Sequence, residues 1–148
     1  MKEYYLAHPF DARKWVRKWQ IKIQKELPKL KLTNPFYCKY WEQTENWKSG
    51  DESGEELYKK LNDKSIVKRD IYLIGKQKDG IIYVIDGNIS YGTIQEIVYA
   101  KMFHKEVIGL VTNGHEKHPW LTFHSDKIFT KLNDLEKYLC HTSNKKKD

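Results

Sequence analysis

Glu96 lies about one turn into a stretch, SYGTIQEIVYA, that reads as a helix following a glycine turn. Its neighbours Ile94, Ile97, Val98, Tyr99, Ala100, Met102 and Phe103 make that helix apolar nearly all round, which predicts a largely buried element. A carboxylate in such a setting needs a partner or a purpose. The plainer alternative is an acid favoured by the dipole at a helix N-terminus. Asp70 is the second acid of interest. In SIVKRDIYLIGKQ it falls between Ile66 and Ile74 at i, i+4 spacing, in the middle of a stripe formed by Ile66, Val67, Leu73 and Ile74. A partly buried carboxyl has a raised pKa and can donate a proton near neutrality. The alternative is a salt bridge with a nearby Lys or Arg.

Ser90-Tyr91-Gly92-Thr93 precedes Glu96. Ser90 or Thr93 can cap the helix, and a hydroxyl there needs no other explanation. Gly92 also lets a ligand approach the backbone, and free N–H groups at a helix start bind phosphate. No Gly-Lys-Ser/Thr follows, so this is not a P-loop. Asp86-Gly87-Asn88 is either a simple turn or the polar rim of a pocket. His115 and His118 share a loop without a Cys or Asp cluster, which argues against zinc. No serine has a nucleophile-elbow context, and nothing calls for a metal or cofactor.

The elements that must position these residues follow from periodicity. Tyr4–Ala7 reads as a first strand ending at His8-Pro9, with Asp11 able to cap the next helix. That helix carries Trp15, Trp19, Ile23 and Leu27 at i, i+4 spacing and stops at Pro28. Phe36–Tyr40 is the candidate second strand, Glu42–Gly54 a polar loop, and Glu55–Leu61 a short helix. A helix over Ser65–Lys76, a buried strand over Gly80–Ile85, a helix over Thr93–Phe103 and a strand over Val107–Val111 follow. Asn113–Pro119 is a loop, Lys127–Phe129 a last strand and Leu132–Leu139 a closing helix. Strands alternating with helices predict an α/β fold, a five-stranded parallel sheet covered on both faces in a three-layer, flavodoxin-like (Rossmann-like) α/β/α arrangement of order 2-1-3-4-5. In that order the exit of the first strand and the Gly87–Thr93 turn face one crevice, so Tyr5, His8 and Glu96 should converge there.

At 148 residues, 39% hydrophobic and 14% aromatic, the chain is expected to form a single globular domain over 1–140, with a disordered basic tail over 141–148. No apolar run is long enough for a membrane helix, and the N-terminus lacks a signal-peptide pattern, so a cytoplasmic protein is expected. Cys38 and Cys140 read as free thiols. The net charge of +7 is spread over the polar face of the first helix (Arg13, Lys14, Arg17, Lys18, Lys22, Lys25) and the tail Lys145–Lys147. No nucleic-acid-binding signature accompanies it, which argues against nucleic acid as the main partner.

Taken in order, Tyr5-Leu6-Ala7-His8-Pro9-Phe10, Asp70, the segment DGIIYVIDG from Asp79 to Gly87 and GTIQEIVYA from Gly92 to Ala100 resemble the nucleoside 2-deoxyribosyltransferase family, including its nucleotide N-hydrolase branch. The resemblance implies an enzyme that cleaves or transfers N-glycosidic bonds of nucleosides or nucleoside 5′-monophosphates. Glu96 would be the nucleophile at the anomeric carbon, Asp70 the acid that protonates the departing base, and Tyr5 the residue holding the Glu96 carboxylate. His8, Phe10, Asp86, Asn88, Ser90 and Gly92 would line the substrate site. It also implies a homodimer or larger homo-oligomer, with His115–Phe123 as the candidate segment donated to a neighbour. Three departures stand out. Ser90 replaces an Asp of the transferases, which tolerates a phosphate that an Asp would repel. His8 replaces a glycine, narrowing the pocket or adding a phosphate contact. The NKKKD terminus is unsuited to supplying a site carboxylate, which counts against strict transferase activity. The competing reading is a non-catalytic nucleotide-binding module, a sensor or ligand sink using the same crevice.

Overall fold

In the computed structural model, which describes residues 1–37 and 63–144, strands β1 (Lys2–Ala7), β2 (Leu30–Thr33), β3 (Gly80–Ile85), β4 (Glu106–Val111) and β5 (Lys127–Phe129) form one sheet. All neighbours are parallel and the order is β2-β1-β3-β4-β5, as the alternation of strands and helices predicts. The helices are α1 (Arg13–Glu26), α2 (Asp63–Lys76), α3 (Tyr91–Met102), α4 (Pro119–His124) and α5 (Leu132–Asn144).

The central strand β3 is buried at every position of GIIYVI, the continuous apolar pattern of a parallel strand covered on both faces. Each of its fully buried Ile and Val side chains contributes about 1.5–3 kcal/mol of burial. Gly80 is required where β3 enters the sheet, because a Cβ there would collide with the backbone of Glu106. Successive β1 residues point to opposite faces. Tyr4 and Leu6 join the core beneath α1 and α5, with Val16, Trp19, Ile23, Leu135 and Leu139. Tyr5 and Ala7 join the opposite core with Leu73 and Ile74 of α2 and Ile97 and Ala100 of α3. This alternation aims the Tyr5 side chain between the two helices that carry the acids.

Several expectations need correction. The second strand is Leu30–Thr33, not Phe36–Tyr40: Pro35–Tyr37 already turn, and the remainder of that segment lies outside the described residues, as do the loop expected over Glu42–Gly54 and the helix over Glu55–Leu61. β2 is an edge strand, so only Leu30 and Leu32 are buried and the apolar signal is two residues long. Asp11 caps nothing. The chain enters α1 through a 3-10 turn, Phe10–Ala12, and Arg13 Nη1 donates to the Phe10 carbonyl at 3.0 Å. α3 is not buried all round: Thr93, Ile97 and Ala100 face inward, while Tyr91 and Met102 are exposed. On α2, Leu73 and Ile74 are buried but Val67 is exposed, so the stripe around Asp70 is narrower than its spacing implies. The closing helix runs on to Asn144, past the His141 at which a disordered tail was expected, because Leu139 and Ser143 are buried on its inner face; 145–148 lie outside the described residues. Among the described residues no helix is long and apolar enough to cross a membrane.

Candidate active site

The carboxyl ends of β1 and β3 lie side by side at the point where the strand order reverses, the crevice in which open α/β sheets bind ligands. Tyr5 sits near the end of β1, paired in register with Ile81 of β3 and Thr33 of β2, and is wholly buried. Its hydroxyl donates to Glu96 Oε1 at 2.5 Å. Burial, followed by the charges of Glu96 and Asp70, pushes the Tyr5 hydroxyl well above its ordinary pKa of 10, so it remains a donor throughout the physiological range.

Glu96 falls on the second turn of α3, one helical step from the inward-facing Thr93, Ile97 and Ala100. The helix starts where sequence chemistry says it should: Ser90 Oγ accepts from Thr93 N at 3.1 Å, a serine N-cap. Glu96 as a residue keeps some exposed surface, but its carboxyl points inward to Tyr5. Burial first and the neighbouring Asp70 charge second raise it from 4.5 to about 8, against the opposing hydrogen bond from Tyr5 and the charge of Arg69.

Asp70 comes from α2, which packs against α3. Burial raises its pKa, against the lowering effects of Arg69 and of the Tyr5 hydroxyl. Arg69 Nε donates to Asp70 Oδ1 at 2.7 Å, and Arg69 Nη2 lies 2.5 Å from the same oxygen. The guanidinium is buried and also donates from Nη1 to the Pro35 carbonyl at 3.0 Å. One phenol, two carboxyls and one guanidinium thus share a confined space. Two like charges in such a space cannot both ionise easily, so the carboxyl pair retains a proton near neutrality.

The other sequence-predicted residues are placed as follows. His8 is buried, with Nδ1 3.1 Å from the Pro9 carbonyl, Nε2 3.2 Å from Asn34 Oδ1 and its ring against Phe36. Burial lowers its pKa to about 4, so the ring is neutral at pH 7 and its nitrogens face protein acceptors. Phe10 is half-buried, edge-on to Phe36 and capped by the Arg13 guanidinium. Asp86 is exposed and accepts from Thr112 Oγ1 at 2.7 Å. Gly87 (φ 95°) makes the turn after β3, and Asn88 is exposed beyond it. Gly92 has open space where a Cβ would be. On the outer side of α3 a groove of about 500 Å³, lined by Ser90, Tyr91, Ile94, His118, Trp120 and Leu121, separates it from α4. The acids are not part of that lining. Among the described residues there is no cluster of three or more His, Cys, Asp or Glu side chains that could hold a metal.

The salt bridge with a nearby Lys or Arg, the alternative reading of Asp70, is present, but the sequence did not single out Arg69 as the partner. Adjacent helix residues do not face each other, so an i, i+1 pair carries no salt-bridge signal. Burial of the pair against the Pro35 segment brings the guanidinium round to its neighbour.

No family model matches the chain, and no curated protein matches it. Solved structures do. A 2-deoxyribosyltransferase from the psychrotolerant bacterium Bacillus psychrosaccharolyticus has a TM-score of 0.65 at 21% identity over 95% of each chain. A conserved protein from Enterococcus faecalis V583 has a TM-score of 0.67 at 13% identity over 96% of this chain and 99% of its own. The CMP N-glycosidase BcmB of Clostridium botulinum has a TM-score of 0.58 at 17% identity over 95% and 99%. The architecture described above is therefore the deoxyribosyltransferase fold, spanning nearly the whole chain.

The raised Glu96 pKa has a sign that can be tested. Folding binds this proton more tightly than the unfolded chain does, so its contribution to stability is fully present below about 4.5. It is lost as pH rises towards about 8. Glu96→Gln keeps the shape without the titration. Its melting temperature relative to the natural protein should therefore climb between pH 5 and pH 9, read by calorimetry. A constant difference across that range would contradict the buried, raised carboxyl.

Proposed function

We propose that this chain is a member of the nucleoside 2-deoxyribosyltransferase family that breaks the N-glycosidic bond of nucleosides or nucleoside 5′-monophosphates through a covalent glycosyl–Glu96 intermediate. The observation that carries the reading is the Tyr5 hydroxyl on Glu96 Oε1, beside an acid supplied by a separate helix. A glycosidase that retains configuration needs this pairing: one carboxylate to attack the anomeric carbon and one carboxylic acid to protonate the leaving group. The fold shared with a 2-deoxyribosyltransferase and a CMP N-glycosidase supports the same chemistry.

The reactive form has its negative charge on Glu96 and its proton on Asp70. Tyr5 fixes one Glu96 oxygen and leaves Oε2 for attack. Asp70 delivers its proton to the base nitrogen as the bond to the sugar breaks. Water or a second base then displaces Glu96 from the sugar, giving hydrolysis or transfer. Ser90, uncharged at the start of α3, favours substrates with a 5′-phosphate. The binding-module reading draws on one observation: with Glu96 raised to about 8, the unliganded site rests with a poor nucleophile at neutral pH.

A panel of deoxy- and ribonucleosides and their 5′-monophosphates, followed by chromatography for free base, separates the two. Release of base, falling at least about 100-fold in Glu96→Ala and less for activated bases in Asp70→Asn, is the expected result. Tight binding without release identifies the sink.

We further propose that the chain works as a homodimer or larger homo-oligomer. The support is the exposed aromatic face beside the α3–α4 groove, where Tyr91 is 93% exposed, Trp120 59% and Phe123 77%. The segment His115–Phe123 would reach the neighbouring subunit there. Light scattering should give at least twice the chain mass, with Phe123→Glu shifting it towards monomer. A natural protein that is monomeric at tens of micromolar, an order of magnitude suited to obligate contacts, would refute the arrangement.

A further inference from the structure

We propose that Arg69 is a positioning residue for the acid: it holds Asp70 at Oδ1 and receives, through that oxygen, the negative charge that the first chemical step moves off Glu96. The inference rests on the glycosyl–Glu96 reading and adds to it a residue that neither the spacing of the acids nor the fold identifies.

Three geometric facts carry it. Arg69 reaches Asp70 Oδ1 from two atoms, Nε at 2.7 Å and Nη2 at 2.5 Å. The guanidinium is anchored from its other side by the Pro35 carbonyl at 3.0 Å, which stops it following substrate or solvent. Both partners are largely shielded, with 7% and 16% of their side-chain surface exposed, so the contact is little screened by water. At Glu96, by contrast, the hydrogen bond comes from Tyr5, and Arg69 contributes its charge.

The charge balance gives this asymmetry a consequence. In the first step a Glu96 oxygen forms a bond to the anomeric carbon, and the carbon–nitrogen bond breaks. The electron pair goes to the base nitrogen, which takes the proton from Asp70 Oδ2. Glu96 becomes a neutral ester and Asp70 a carboxylate, so one negative charge has crossed from α3 to α2. In the second step Asp70 takes a proton from the attacking water or acceptor base, and Glu96 leaves as a carboxylate. Arg69 is in direct contact with the end that gains charge in step one. It therefore stabilises the transition state more than the reactive ground state, which is the requirement for accelerating a step rather than tightening binding. A cation beside Asp70 also makes Asp70 a stronger acid. The benefit is greatest for bases that leave poorly.

The test compares Arg69→Gln and Arg69→Lys with the natural protein, on the best substrate of the panel and on its halogenated-base analogue, whose base leaves more easily. Loss of a charge-assisted contact should lower kcat of Arg69→Gln on the parent base roughly 10- to 100-fold, with KM within about threefold. The loss should shrink on the halogenated base. Both limbs of the pH–rate profile should move to higher pH, because removing the cation makes the carboxyl pair hold its protons more tightly. Arg69→Lys keeps the charge and should recover most of the rate and the original limbs. An equal loss on both bases with unmoved limbs would overturn the proposal, as would wild-type behaviour of Arg69→Gln. If Arg69→Gln fails to melt cooperatively, Arg69→Lys alone decides. A lysine protein that folds but loses rate equally on both bases, or that also fails to fold, makes Arg69 a structural residue. Absence of base release by the natural protein would instead sink the glycosyl–Glu96 reading itself.

Discussion

Burying the Glu96 carboxyl against the Tyr5 hydroxyl is the interaction around which the rest of the site is arranged. A carboxylate taken out of water is costly unless it is bonded, and here one short bond from a fully buried phenol is set against burial and the charge of Asp70. The fold supplies the geometry without special loops. β1 alternates its tyrosines, so Tyr4 reaches Glu106 on the far side while Tyr5 reaches Glu96 on the near side. α2 and α3 then bring an acid each to the same phenol. A shift of β1 by one residue would send Tyr5 into the α1 core and leave Glu96 unbonded.

The electrostatics of the pair follow from that placement. Both acids titrate upwards, Glu96 by burial and by the charge of Asp70, Asp70 by burial. Arg69 breaks the symmetry by its direct contact with Asp70. A site with two different carboxyls beside one phenol, one of them also held by a guanidinium, can assign them different tasks. The cost is stability lost as pH rises from about 4.5 towards about 8.

Much of this was legible in the sequence. β3 and β5 fall where periodicity places them, and the sheet order follows from alternation. Glu96 and Asp70 declared themselves as acids on apolar helix faces. What was not legible has physical causes. β2 is a short edge strand whose signal is two leucines around one exposed lysine. The exposed apolar residues of α3 read as core, because hydrophobicity does not distinguish a face turned to the sheet from one turned outward. The polar partners of His8 were not legible either, because Asn34 lies 26 residues away and the Pro9 carbonyl is a backbone group that no spacing announces. A salt bridge at Asp70 was among the expectations, but Arg69 could not be singled out as its partner because the contact depends on tertiary burial rather than on helical spacing.

The central claim is that Glu96 bonds to a sugar, and an intact-mass and peptide-mass measurement after rapid acid quench with a deoxynucleoside or deoxynucleotide tests it most directly. The account predicts a sugar-sized mass increase that maps to the peptide containing Glu96 and is absent from Glu96→Ala. Base release accompanied by an adduct on another residue, or by a Glu96→Ala protein that turns over at the natural rate, would contradict it.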